Sequence, residues 1–212
     1  MFAVFLDKIS LLEFHMYHKI ASMLTARLEK EKMLDPAKHD CYAYGFELMI
    51  SYFCYFVILL IISIITCTIW QSVLFCIGFM TLRRCAGGFH ADSYTKCHFL
   101  FSLNHLLFIA FYYFCPTKYD AWLIVFGSIF CLLVMWLFAP IEHMNRPFND
   151  AERHCFKRRS RIYSCIIVSV SLVSLQFPIL HSFLLCYLYG VFSASCSTVA
   201  GYIQQSRKQP QI

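Results

Sequence analysis

The sequence predicts an all-α integral membrane protein: about six transmembrane helices, arranged as three hairpins, follow an N-terminal amphipathic helix. Of the 212 residues, 59% are hydrophobic and 14% are charged, whereas soluble domains carry roughly 45–50% apolar and about 25% charged residues. The charges are also clustered. Apart from Glu47, His105 and His181, no acidic, basic or histidine side chain occurs in four long stretches: Gly45–Leu82, Phe99–Cys115, Ala121–Pro140 and Ile162–Ile203.

The lengths of these stretches give the number of spans. A helix needs about 20 apolar residues to cross about 30 Å of hydrocarbon, so the first and last stretches are each long enough for two crossings. A polar patch that includes Thr66, Thr68 and Gln71 offers a turn in the first, and Pro178 with His181 offers one in the last. The segment Cys115–Asp120 is typical of a short turn between the two middle spans.

The basic residues predict the orientation. With six spans, 17 of the 18 Lys and Arg residues lie on one side, and Lys118 alone lies on the other. Because basic residues accumulate in cytoplasmic loops, we expect a multi-pass membrane protein with both termini in the cytoplasm. The net charge of +6 then favours contact with anionic lipid headgroups, and no nucleic-acid partner is expected.

The N-terminal segment predicts an amphipathic helix, because apolar residues recur at steps of three and four. The repeating residues are Phe5, Ile9, Leu12, Met16, Ile20 and Met23. Asp35-Pro36 ends the pattern. The chain is thus divided into a cytoplasmic segment, residues 1–44, and a membrane domain, residues 45–212. The helix either lies in the membrane interface or caps the bundle, and a role in holding a substrate stays open.

The 12 cysteines fall into two groups. Eight lie in or at the ends of apolar stretches, where cysteine usually packs as a small hydrophobe. The other four would face the reducing cytosol, where disulfides are rare: Cys41, Cys85, Cys97 and Cys155. Reactive thiols are therefore expected among these four.

The cytoplasmic loop 83–98 combines features that favour nucleophilic catalysis by a Cys/His pair. In one continuous helix, His90 and Cys97 would be about 10.5 Å apart along the axis, too far for a hydrogen bond. Gly87-Gly88 permits other backbone conformations, however, and Asp92 and Ser93 are good helix caps. A helix beginning at Asp92 or Ser93 would leave His90 free to fold back, with Cys97 near the N-terminus, where a thiolate is favoured.

Other interpretations of the loop remain open. A histidine near a membrane surface is often only an interfacial residue, and a Gly-Gly pair is often only a turn. Cys85, five residues before His90, is a rival nucleophile. A zinc site made by Cys85, His90, Cys97 and His98 is conceivable, but the spacing lacks the paired knuckles of structural zinc, so neither a metal nor a cofactor is expected.

Three motifs carry a resemblance to a known family. The motifs are Gly87-Gly88-Phe89-His90-Ala91 with a cysteine seven residues after the histidine, the upstream Tyr44-Gly45-Phe46-Glu47, and the downstream Ala139-Pro140-Ile141-Glu142-His143. Together they resemble the accessory gene regulator B family of Gram-positive bacteria, and the resemblance extends from about Tyr44 to Arg161. It implies a cytoplasm-facing membrane cysteine endopeptidase that matures a quorum-sensing propeptide, accessory gene regulator D.

The resemblance also implies roles for single residues. Cys97 would be the nucleophile that forms a thioester acyl-enzyme, and His90 would be its general base. Arg83, Gly87 and Gly88 would shape the site or bind the propeptide. An internal nucleophile of the peptide would then resolve the thioester into a cyclic thiolactone or lactone.

Several points stay open at this stage. The residue that orients His90 could be Asp92, Ser93 or Glu142. The expected partners are the propeptide and membrane lipids, and a homodimer is left open. A non-enzymatic peptide exporter or membrane chaperone is the main alternative function, and a cysteine acyltransferase acting on lipids is a weaker one. A transporter should carry ionisable or helix-breaking residues at mid-membrane, for which His105 is the main candidate.

Overall fold

The structure, a computed structural model, describes residues 2–89, 91, 93–142 and 148–208. These residues form seven α-helices and three short 3₁₀ turns, and no strand occurs among them. The helices are α1 Phe2–Lys30, α2 His39–Ile65, α3 Ile69–Ala86, α4 Tyr94–Phe114, α5 Asp120–Leu137, α6 Asp150–Ser174 and α7 His181–Lys208. The prediction of an all-helical protein is confirmed.

The helices end where the sequence contains polar residues or proline. The α2 helix stops at Ile65, and α3 begins at Ile69, so the polar residues Thr66 to Thr68 form the break. Three short turns that begin at or just after a proline, 36–38, 117–119 and 178–180, directly precede α2, α5 and α7. Proline fixes its own φ angle and donates no backbone hydrogen bond, so it is tolerated at a helix start and disfavoured in a helix interior.

Four helical segments are long and apolar enough to cross a membrane: Pro36–Ile65, Tyr94–Phe114, Thr117–Leu137 and Pro178–Arg207. The protein is therefore a membrane protein. The other two helices of the expected six are less apolar, since α3 ends in Arg83 and Arg84 and the first half of α6 is highly charged. The count of six spans and their pairing as three hairpins stay predictions. The first candidate span also begins before the boundary predicted at residue 45.

The described chain forms two compact units, and the first comprises Met1–Thr66 with Ala91–His105. Here α1 packs against α2 and buries Tyr17, Ala21 and Thr25. Met16, Ile20 and Met23, which belong to the apolar repeat seen in the sequence, are exposed instead. The small Ala21 and Thr25 allow a close approach to α2, so the helix packs through a face that the apolar periodicity alone does not indicate.

The second unit comprises Cys67–His90 with Leu106–Ile212. Its central helix, α7, packs mainly against α3 and α5, and α5 packs against α6. Gly78 of α3 and Gly190 of α7 allow the closest contact, because a Cβ at either one would collide with a backbone carbonyl of the facing helix. Small residues at such positions are typical of helix packing in membranes. The buried core includes Leu82, Ile124, Cys131, Met135 and Val191.

Candidate active site

Helix α4 begins at Tyr94, three residues before the candidate nucleophile and within two residues of the predicted start at Asp92 or Ser93. The Ser93 Oγ accepts a hydrogen bond from the backbone N–H of Lys96 at 3.3 Å. The N–H of Cys97 donates to the Ser93 carbonyl at 3.1 Å. Ser93 is thus the cap that satisfies N–H groups left without partners at a helix start. Cys97 consequently lies one turn from the N-terminus of α4, with its side chain exposed.

The rival thiol, Cys85, lies in a different environment. It is only 5% exposed, and its Sγ donates to the carbonyls of Leu82 at 3.3 Å and Thr81 at 3.6 Å. Burial raises the pKa of the Cys85 thiol, because desolvation disfavours the charged thiolate. Of the two candidate nucleophiles, only Cys97 is accessible to a large substrate.

Two hydrogen bonds attach the first turns of α4 to α2 within the first unit. The Tyr94 hydroxyl donates to a Glu47 carboxylate oxygen at 3.4 Å, and the His98 Nε2 is hydrogen-bonded to the Ser51 Oγ at 2.9 Å. We call these four residues the α2–α4 clamp. Its two members on α4, Tyr94 and His98, lie on either side of Cys97 along the helix. The clamp therefore fixes the turn that carries the exposed thiol.

Glu47 is the most buried charged residue of this clamp, at 7% exposure. Its other carboxylate oxygen contacts the His18 Nδ1 of α1 at 2.7 Å. The Tyr55 ring of α2 also stacks on the His98 ring of α4, with centroids 6.2 Å apart. A buried carboxylate needs such partners, since an unpaired one is costly to desolvate. One acidic side chain thus connects α1, α2 and α4.

The loop Gly87–Phe89, which precedes His90, is held through its backbone within the second unit. The Arg83 guanidinium donates to the Gly87 carbonyl at 3.0 Å and to the Ser197 Oγ of α7 at 2.8 Å, and also to the Phe89 carbonyl. The Phe89 N–H donates to the Ser197 carbonyl at 2.8 Å. Arg83 thus holds the loop in place.

The glycines of this loop are required by space and by backbone conformation. Gly87 and Gly88 have φ angles of +70° and +141°, values that other residues rarely adopt. A Cβ at Gly88 would collide with the Arg83 guanidinium. On the facing helix, a Cβ at Gly201 would lie only 2.6 Å from the Gly88 carbonyl carbon. The loop and α7 are therefore in direct backbone contact.

The downstream motif lies directly beside this loop. The Ile141 N–H donates to the Ala86 carbonyl at 2.8 Å, and a Cβ at Gly87 would collide with the Ile141 carbonyl. Glu142 pairs with Arg153. Two motifs that are about fifty residues apart in sequence are thus neighbours in the fold.

His90 and Asp92 lie outside the described residues, as does the segment 143–147. Of the three candidates for orienting His90, Ser93 caps α4 and Glu142 pairs with Arg153. Among the described residues, which exclude His90, no three His, Cys, Asp or Glu side chains converge on a point where a metal ion could bind.

Comparison with known proteins now identifies the family. The family model described as Accessory gene regulator B matches residues 18–199. The chain belongs to the accessory gene regulator B family. The match includes the α2–α4 clamp, the loop before His90, Cys97 and the downstream motif, and it confirms the resemblance seen in the sequence.

Curated relatives agree with this assignment. Proteins named "Putative AgrB-like protein" from Listeria innocua serovar 6a and Listeria welshimeri serovar 6b are 28% and 29% identical to the chain over 131 residues. Each alignment covers 61% of this chain and 63% of the relative, so the chain spans less than two thirds of the relatives' length. No solved structure matches the chain.

Sequence reasoning missed several residues of this candidate site. Glu47 was noted as an ionisable residue in an apolar stretch and as part of a motif, but no partner was predicted for it, and Ser51, Tyr94 and His18 were not singled out. A four-residue spacing on α2, from Glu47 through Ser51, offered a signal for part of the clamp. Nothing in the sequence indicates Ser197, which lies 114 residues from its partner Arg83.

Proposed function

We propose that this accessory gene regulator B family member is a membrane-embedded cysteine endopeptidase that cleaves a quorum-sensing propeptide. One observation supports this most: Cys97 is exposed at a capped helix start, whereas Cys85 is buried and bonded to carbonyls. A helix N-terminus and a neighbouring cation favour a thiolate, and Lys96 adjoins Cys97. Cys97 is accordingly the nucleophile, and His90 is its general base.

The proposed reaction begins when His90 accepts the Cys97 thiol proton. The thiolate attacks the scissile carbonyl carbon, and a carbon–sulfur bond forms. The carbon–nitrogen bond then breaks as His90 returns the proton to the leaving amine, which leaves a thioester on Cys97. A thiol or hydroxyl within the bound peptide then attacks this thioester and gives its proton to His90. The bond between the carbonyl carbon and the Cys97 sulfur breaks, the cyclic thiolactone or lactone is released, and His90 returns the proton to the Cys97 thiolate.

Intramolecular attack can compete with water if the peptide is held in place. Well-oriented internal groups reach effective molarities of roughly 10⁵–10⁸ M. In this proposal the α2–α4 clamp fixes the turn that carries Cys97, and Arg83 with Ser197 fixes the loop that leads to His90. Arg83, Gly87 and Gly88 thus act as positioning residues. The exposed Cys97 leaves room for a peptide chain.

The proposed orientation follows from the charges. Both termini and the loop 83–98 face the cytoplasm, where the propeptide is made. Single-cysteine labelling with an impermeant reagent on intact cells tests this. Labelling of a cysteine placed at position 90 from outside the cell would contradict the orientation and with it the supply of the substrate.

The decisive experiment is co-expression with a candidate propeptide, a short peptide with an internal Cys or Ser and an acidic tail, followed by mass spectrometry of its fragments. Cys97→Ala and His90→Ala should each abolish cleavage without loss of membrane insertion, and the double variant should be no worse than either one. Cys85→Ala is the matched control and should retain cleavage. Near-normal cleavage by Cys97→Ala would favour a peptide exporter or chaperone instead.

A second measurement tests cyclisation separately. A propeptide whose internal nucleophile is replaced by alanine should accumulate as a thioester on Cys97, sensitive to hydroxylamine, without a cyclic product. Release of that peptide as a linear acid at the normal rate would show plain hydrolysis.

A further inference from the structure

A surface groove of about 600 Å³ lies along α6 and the end of α5, within the second unit. It contains none of the residues assigned to cleavage. One end is lined by basic side chains of the first half of α6, including Lys157, Arg158 and Arg161, and by Trp136 of α5. The other end is lined by apolar side chains of the second half of α6, including Ile166.

The basic end is built to hold negative charge. The Arg161 guanidinium lies over the Trp136 ring, 4.6 Å from its centroid, an arrangement that orients the cation. The Arg161 Nε is buried and has no hydrogen-bond partner among the described residues. Among the described residues, no carboxylate forms an ion pair with the side chains of Lys157, Arg158 and Arg161. Three cationic side chains therefore line one end of the groove, and the Arg161 Nε–H has no hydrogen-bond acceptor among the described residues.

The apolar end matches a hydrocarbon chain in polarity and in length. Ile162, Ile166 and Val170 recur every four residues along α6 and are exposed. The helical rise of 1.5 Å per residue makes this strip about 12 Å long, close to the thickness of about 15 Å of one leaflet's hydrocarbon. The groove is thus cationic at one end and apolar at the other.

We propose that this groove binds an anionic phospholipid, with the phosphate at Lys157, Arg158 and Arg161 and an acyl chain along Ile162 to Val170. A soluble anion would use the basic end but would leave the apolar strip uncovered. An acidic peptide would place charges on that strip at a cost in desolvation. A phospholipid carries both chemistries in the observed order, and basic pockets between membrane helices bind such headgroups.

Trp136 provides a direct probe of the bound lipid. The full-length protein, with Trp70→Phe and Trp122→Phe, is reconstituted into vesicles of 20% phosphatidylglycerol and 80% phosphatidylcholine. Either the phosphatidylglycerol or the phosphatidylcholine carries brominated acyl chains, which quench tryptophan fluorescence on contact. The composition is the same in both samples, so their comparison gives the relative association of the two lipids with the groove.

We expect the association of phosphatidylglycerol with the groove, relative to that of phosphatidylcholine, to be at least fivefold higher than the mole fractions predict. A factor of about five is the preference that one basic residue near the surface contributes. Arg158→Gln/Arg161→Gln should remove the preference, and Lys157→Gln, a milder variant that keeps both arginines, should weaken it. Arg159→Gln is the matched control for Lys157→Gln, because it also removes one positive charge. Arg159 is an exposed residue of α6 that does not line the groove, so this variant should keep the preference.

Three results would overturn the proposal. Equal association of phosphatidylglycerol and phosphatidylcholine with the groove, in the protein whose groove residues are unchanged, would show no selectivity. Loss of the preference on addition of millimolar inorganic phosphate would identify a site for soluble anions. Displacement of the lipid by an acidic peptide would identify a peptide site. None of these readouts depends on propeptide cleavage.

Discussion

The start of α4 and the loop Gly87–Phe89 are held in place by different kinds of contact. Side chains hold the α4 start: Tyr94 bonds to Glu47, and His98 bonds to Ser51. The loop is held through its own backbone groups: its carbonyls accept from the Arg83 side chain, and its Phe89 N–H donates to α7. Loss of a clamp bond leaves α4 a helix, whereas a change in the loop alters the chain path itself. We therefore expect substitutions in the loop to cost far more activity.

The largest effect is expected for Gly88→Ala. The added Cβ would collide with the Arg83 guanidinium, and the φ angle of +141° is unsuited to alanine. Strain of this kind costs about 1–3 kcal/mol, and displacement of Arg83 removes its bonds as well. Propeptide cleavage, followed by mass spectrometry of a time course, should fall about a hundredfold or more.

Gly127→Ala is the matched control for this substitution. Gly127 lies in α5, and a Cβ there meets nothing within 4 Å. Alanine should keep activity and raise helix stability by up to about 1 kcal/mol. Equal activity of the two alanine variants would show that the loop does not constrain the site.

The next effect is expected for Arg83→Lys, which keeps the charge but loses the planar group that donates to two carbonyls and Ser197. Lysine has one nitrogen and cannot reproduce that geometry. We expect about thirtyfold slower cleavage, with insertion unchanged. Arg84→Lys, at the exposed neighbouring position, should cleave normally. A normal rate for Arg83→Lys would mean that only the charge matters.

The sequence predicted the parts of this comparison that depend on local pattern. Three features follow from turn chemistry and hydropathy, which act over a few residues: a helix cap at Asp92 or Ser93, the helix breaks at Thr66–Thr68 and Pro178, and the all-helical class. The contact of Gly201 with Gly88 depends on how α7 packs on the loop. Local pattern carries no information on such packing, so that contact was not predicted.

The N-terminal helix shows the same limit in another form. Its apolar repeat predicted a helix, and α1 confirms it. The face that packs on α2 is nevertheless the one with Tyr17 and Ala21, while Met23 is 65% exposed. In a membrane protein an apolar face can meet lipid as well as protein, so hydropathy alone does not identify the packed face.

A smaller effect is expected for Ser197→Ala, which removes one acceptor for Arg83 but keeps the backbone bond to Phe89. One hydrogen bond to a charged group contributes about 1.5–3 kcal/mol, and the two carbonyls retain most of the contact. Cleavage should slow about fivefold. Ser206→Ala removes a hydroxyl bonded only within α7 and serves as the control. A loss as large as that of Gly88→Ala would instead indicate a direct role of Ser197 in the reaction.

The smallest effect is expected in the clamp, where Tyr94→Phe removes the hydroxyl that donates to Glu47 at 3.4 Å. A net hydrogen bond contributes about 0.5–1.5 kcal/mol, and this long one belongs at the lower end, so kcat should fall about twofold to threefold. KM should stay constant, because the clamp orients Cys97 and does not contact the peptide in the proposed mechanism. Glu47→Gln should slow cleavage more than Tyr94→Phe does, because it also alters the contact with His18. The double variant should be less impaired than the two losses combined, since both substitutions weaken the bond between Tyr94 and Glu47. Tyr113→Phe, at the far and exposed end of α4, controls for the loss of a tyrosine hydroxyl.

Two outcomes would contradict the role of the clamp in positioning Cys97. Full additivity of Tyr94→Phe and Glu47→Gln would show that these two residues act separately. An effect on KM alone would show that they do not orient Cys97.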